Sequence, residues 1–220
     1  MTSTLKKLWK NEYVQTAIVI SLIVLVVVGF WYGAQLVLNT SAPVLVVVSG
    51  SMCIPYDGNC DGWSDPFTRT LHIGDLIIVQ GVNPADLNGN YPSSDIIVFH
   101  QPGNPEELIV HRIVAVDKVN GTLYFRTKGD GNPDDKWPNP LQPLEYDPWA
   151  IPPAPGVSQD MVVGKVVMRI PLIGNVVLFL RTPAGIISIV TIAAILVIIE
   201  FILPVFRKKP TTALSEPQKN

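Results

Sequence analysis

A serine hydroxyl is a weak nucleophile near neutral pH, and it attacks a carbonyl only when a neighbouring base takes its proton. Ser51, in Val46-Val47-Val48-Ser49-Gly50-Ser51-Met52, is a candidate because it follows a β-branched run a short way beyond a long apolar segment. From there its hydroxyl can reach a peptide bond emerging from a bilayer. Three histidines offer a base: His72, His100 and His111. Imidazole titrates at about 6.5 when unperturbed, which suits it to take and return a proton near neutrality. A carboxylate would hold that imidazole in its productive tautomer. The acids Asp130, Asp134 and Asp135 lie together in Gly129-Asp130-Gly131-Asn132-Pro133-Asp134-Asp135.

The same loop has the alternation of a calcium site, with Asp130, Asn132 and Asp134 at every second position. The sixth position is Asp135, where an EF-hand loop needs glycine, and the twelfth is Leu141, which has no carboxylate. No metal and no cofactor are therefore expected.

The elements that must position these groups begin with two apolar stretches in a chain of 220 residues, 48% hydrophobic and 15% charged. The first runs over 16–38 without a charged residue, enough to cross a hydrocarbon core of about 30 Å. The second runs over 183–206, interrupted by Glu200 near its end, where a headgroup-level position lowers the cost of the charge. Lys6, Lys7 and Lys10 precede the first and Arg207, Lys208 and Lys209 follow the second. The positive-inside rule then puts 1–15 and 207–220 in the cytoplasm. The part between is acidic, with 8 Lys and Arg against 15 Asp and Glu from Thr40 to Leu180, a net of −7. A cleaved leader would have a shorter apolar region, so the first stretch is read as an uncleaved anchor.

Residues 39–182 form the outer domain. Six β-branched runs mark strands: Val44–Val48, Leu76–Gln80, Asp95–His100, Leu108–Val116, Leu123–Thr127 and Met161–Ile170. Gly103-Asn104-Pro105 and Asn120-Gly121 separate neighbouring runs, the second being a strong hairpin signal. The pattern predicts an all-β domain between two transmembrane helices. Residues 137–159 hold seven of the 20 prolines and read as an extended loop wrapping the domain. Cys53 and Cys60 fall on the outer side in a short loop, where a disulfide is expected to contribute about 2 kcal/mol. Asp75 is expected to brace a turn and is given no chemistry.

Four blocks, Ser49-Gly50-Ser51-Met52, Gly74-Asp75-Leu76-Ile77-Ile78-Val79, Ile109-Val110-His111-Arg112-Ile113-Val114 and Thr127-Lys128-Gly129-Asp130, resemble in that order the boxes of type I signal peptidases. The resemblance covers about Val44 to Ile170. A histidine where bacterial enzymes carry lysine makes it similar to the archaeal and endoplasmic-reticulum branch, peptidase family S26. It implies a signal-peptidase or LexA-like β catalytic domain, with Ser51 as nucleophile and His111, within Val110-His111-Arg112, as base. It also implies an oxyanion site from the Ser51 N–H and the Ser49 hydroxyl. In the family the base is paired with an aspartate a few residues after Gly-Asp-Asn-Asn. That spacing favours Asp135 over Asp134 and leaves Asp130 in support, although Gly131 stands where the family has asparagine.

The implied activity is a serine endopeptidase, signal peptidase I, removing signal peptides from exported preproteins after small residues. Its surroundings would be the lipid bilayer of the cell membrane and the Sec translocon, with no nucleic acid. The alternative is a catalytically silent two-span protein whose outer domain is a binding or assembly subunit. A self-cleaving regulator of the same fold is disfavoured, because no basic helix-turn-helix pattern precedes Ser51. Asn39-Thr40-Ser41 and Asn120-Gly121-Thr122 match glycosylation sequons, which are frequent by chance.

Overall fold

Valine and isoleucine fit a pleated, half-buried surface, and each of the six β-branched runs forms a strand in the computed structural model. The structure describes residues 12–53, 71–91, 93–132, 147–149 and 154–199. A long helix α1 (Glu12–Leu38) leads into β1 (Val44–Val46), β2 (Leu76–Gln80), β3 (Ile96–Gln101), β4 (Asn104–Val119), β5 (Thr122–Lys128), β6 (Val157–Ser158) and β7 (Val162–Ile170). Two further helices follow, α2 (Ile173–Leu180) and α3 (Pro183–Val197). The strands make one sheet in the order β1-β2-β7-β3-β4-β5-β6. Every neighbouring pair is antiparallel.

β3 lies at the centre and is buried on both faces. Side chains alternate across a strand, so Ile96 and Val98 join Val47, Met52, Leu71, Ile77, Val79 and Val166 in one cluster. Ile97 and Phe99 join Leu87, Ile113, Phe125 and Val157 in the other. A strand covered on both sides reads as an unbroken apolar run, as Ile96-Ile97-Val98-Phe99 does.

Asn120-Gly121 makes the expected two-residue hairpin, with φ of +50° and +89°, the paired positive values of a type I′ turn. The β3–β4 turn differs from the expectation. Asn104-Pro105 opens β4 instead of lying in the turn, which shrinks to Pro102-Gly103 with Gly103 at φ +87°. Proline is tolerated there because residues 104–107 are exposed. His100 lies in this hairpin, its Nδ1 donating to Pro105 O at 2.6 Å. The proline-rich stretch ends in a two-residue strand, β6, paired with β5.

α1 is long and apolar enough to cross a membrane. It ends at Asn39, whose φ of +49° is the left-handed conformation that closes helices. Its last turn is tied to the sheet, since Leu38 O accepts from Gly81 N–H at 2.8 Å and Thr40 Oγ1 donates to Val163 O at 3.2 Å. Gly81 has no room for a side chain: a Cβ would lie 1.9 Å from Asn39 O.

The chain divides into two compact units between Gly174 and Asn175, within α2. The apolar run after Pro171 folds as α2. α2 and α3 are bent by 86°, and among the described residues they reach membrane length as a bent pair. The bend is capped by Thr182, whose Oγ1 accepts from Gly185 N–H at 3.1 Å ahead of Pro183 at the first helical position. The stretch expected to span over 183–206 runs past the described residues.

Candidate active site

Ser51 stands in a turn just past the end of β1. Val47 leaves the strand tied to the Asp75 turn, donating to Asp75 O and accepting from Gly74 N–H, both at 2.9 Å. Cys53 N–H then closes a four-residue turn on Gly50 O at 2.9 Å. Within it Met52 points into the core at 1% exposure, and its Sδ accepts from Asp130 N–H at 3.4 Å. Ser51 is left half-buried, and its Oγ lies 3.3 Å from Ser49 Oγ. Asp75 braces its turn as expected, its Oδ2 accepting from His72 N–H at 2.8 Å.

β4 brings in His111, paired across the sheet with Ile97 and 6% exposed. Its Nε2 lies 3.1 Å from Ser51 Oγ and its Nδ1 lies 2.5 Å from Asp147 Oδ2. A carboxylate only accepts, so Nδ1 carries the proton and Nε2 presents its lone pair to the serine hydroxyl. That tautomer is the one able to take a proton from Ser51. Asp147 in turn accepts from Thr127 Oγ1 at 2.9 Å and from Asn132 Nδ2 at 3.4 Å. Its backbone N–H donates to Thr127 O at 2.9 Å. Two residues on, Trp149 packs edge-on against Phe99, with ring centroids 6.2 Å apart.

The carboxylate facing His111 is thus Asp147, a residue the sequence reading did not select. Asp134 and Asp135 lie outside the described residues. No hydrogen bond joins Asp130 to His111, whose ring nitrogens face Asp147 and Ser51. The Asp130 carboxylate takes Arg112 in a fork, with Nε at 2.9 Å and Nη2 at 2.8 Å, while Arg112 Nη1 donates to Ser94 O at 2.8 Å. This buried pair fastens β4 to the loop that follows β5. His100 lies in the β3–β4 hairpin, and His72 has its Nδ1 3.1 Å from the guanidinium of Arg169. Cys53 is disulfide-bonded, and Cys60 lies outside the described residues.

The loops carrying Ser51 and Asp130 meet backbone to backbone, with Gly131 N–H donating to Ser51 O at 2.8 Å. A Cβ on Gly131 would lie 1.8 Å from Cys53 O, and one on Gly129 would lie 2.4 Å from Ser51 O. This close approach accounts for glycine at 131 where the resemblance implies asparagine. Gly131→Ala is therefore expected to push the serine loop away from His111 and to cost about 2 kcal/mol, the scale of overpacking in a filled site. Thermal unfolding and the rate of peptide cleavage, measured on one preparation, check both effects.

Chemically, the arrangement holds an activatable hydroxyl, a base in the correct tautomer and a buried acid behind it, in the order that acyl transfer to serine requires. No protein-family model matches the chain. Among curated proteins, the signal peptidase complex catalytic subunit SEC11C of Homo sapiens is 30% identical over 132 residues, 60% of this chain and 58% of that protein. The subunit sec11 of Dictyostelium discoideum is 29% identical over 182 residues, 78% of this chain and 79% of that one. SEC11 of Lachancea thermotolerans is 31% identical over 105 residues, 47% and 50%. The chain spans 58% of the length of the mammalian relatives it matches.

Proposed function

From this similarity to the catalytic subunits of signal peptidase complexes, we propose that the chain is a membrane-anchored serine endopeptidase that removes signal peptides from exported preproteins. The observation that carries the reading is the convergence of Ser51, His111 and Asp147 through contacts of 3.1 and 2.5 Å. Ser51 attacks the scissile carbonyl, His111 takes its proton and returns it to the leaving amine, and Asp147 orients the imidazole and stabilises its cation. The Ser51 N–H and the Ser49 hydroxyl face the developing oxyanion. The same convergence argues against a silent binding subunit, which has no use for a serine, histidine and aspartate in register.

α1 anchors the enzyme, and the bent pair α2 and α3 supplies the second span. Both termini are cytoplasmic and the β domain lies outside the cell membrane, on the side where translocated preproteins emerge from the Sec translocon. Sites with small residues at the A-x-A-like positions are the substrate class. An extended substrate segment adds to the sheet edge near Ser51 by main-chain hydrogen bonds.

The test is incubation of the purified full chain in lipid with a preprotein, followed by N-terminal sequencing of the product. One new N-terminus just after a small residue at the end of the apolar leader is the expected result. An intact preprotein, or cuts scattered through the mature part, would overturn the reading.

A further inference from the structure

We propose that Thr127 is a positioning residue that sets the acid of the triad, an inference that rests on the reading of Ser51, His111 and Asp147 as catalytic. Thr127 grips Asp147 at two points. Its carbonyl accepts the Asp147 N–H and its hydroxyl donates to Asp147 Oδ2, each at 2.9 Å. Oδ2 is also the oxygen that faces His111 Nδ1.

The two contacts do different work. The backbone bond sets where Asp147 stands beside β5. The hydroxyl bond sets the rotation of its carboxylate, so that one oxygen points at the imidazole. Thr127 suits the task because it is 1% exposed, which keeps water from competing for the hydroxyl, and because β-branching stiffens its χ1. A bond from a hydroxyl to a carboxylate is of the charge-assisted, stronger kind. Asn132 holds the other oxygen at 3.4 Å, too long to fix the rotation alone. Without the hydroxyl the carboxylate can turn about its last torsion, and His111 loses the partner that keeps its proton on Nδ1.

Thr127→Val removes the hydroxyl at nearly constant shape, and Thr127→Ser keeps it. With the full chain in lipid and a peptide substrate, Thr127→Val is expected to lower kcat roughly ten-fold or more with KM little changed, and Thr127→Ser to recover most of the rate. In an Asp147→Ala background, adding Thr127→Val should change the residual rate no further, because the acid it serves is gone. If Thr127→Val does not fold, as thermal unfolding would report, Thr127→Ala replaces it in the same comparison. A wild-type kcat in the hydroxyl-less variant, equal rates with and without the hydroxyl at 127, or an undiminished effect in the Asp147→Ala background would each overturn the proposal. A wild-type rate in Asp147→Ala alone would overturn the triad reading instead.

Discussion

Ser51→Ala is expected to abolish preprotein cleavage, with a loss of about a million-fold in kcat, the scale seen when a serine nucleophile is removed from an otherwise complete site. The fold should not notice. Ser51 is half-buried and its hydroxyl's neighbours are His111 Nε2 at 3.1 Å and Ser49 Oγ at 3.3 Å, so its removal costs the fold one long side-chain contact to each and opens no gap in the apolar core. The turn that carries it is held by main-chain bonds that alanine keeps, Cys53 N–H to Gly50 O and Gly131 N–H to Ser51 O. Thermal unfolding should therefore move by less than about 1 kcal/mol. Cleavage retained by a pure Ser51→Ala preparation sinks the serine mechanism.

Asp147→Asn is expected to be nearly as severe in rate, with a loss of about 10⁴ in kcat and little change in KM. Asparagine matches aspartate in size, but its amide NH₂ can donate to His111 Nδ1. The imidazole proton then moves to Nε2, where it points at Ser51 and blocks the transfer that attack requires. The negative charge that steadies the imidazolium is lost as well. Asp130→Asn provides the contrast. It breaks the buried fork with Arg112, so its cost falls on stability, by roughly 3 kcal/mol. Asp134→Asn and Asp135→Asn complete the series, assayed by cleavage of one peptide alongside unfolding. A crippled Asp135→Asn beside a near-normal Asp147→Asn would return the orienting role to the residue the resemblance favoured.

Those four aspartates show how far the amino-acid order could be read. Strands announced themselves through local pattern, because burial at alternate positions leaves β-branched runs and because Asn120-Gly121 suits a two-residue turn with positive φ. The boundaries were harder. Asn104-Pro105 has the pattern of a turn because proline cannot donate to a ladder, yet an exposed strand end does not require that donor. Ser51 and His111 lie in blocks whose neighbours are recognisable. Asp147 does not: it is 36 residues from His111 in a proline-rich stretch, and what ties it down is a carbonyl and a hydroxyl on β5, which leave no periodic trace. The nearest signal was Asp147-Pro148-Trp149, an acid beside a large aromatic able to anchor a loop on the core. In the sequence Gly131 is a departure from the family pattern, and it takes two facing backbones to show that no side chain fits.

The three side chains come from stretches separated by 60 and by 36 residues, so no short segment contains even two of them. During synthesis, Ser51 leaves the ribosome first, His111 much later and Asp147 last, and long-range pairings are the slow steps of folding. A chain that has emerged only as far as β5 carries a nucleophile and a base with no acid to orient them. On the proposed reading the order of emergence is itself a delay, because the acid that orients His111 joins the site last, when Trp149 has docked against Phe99.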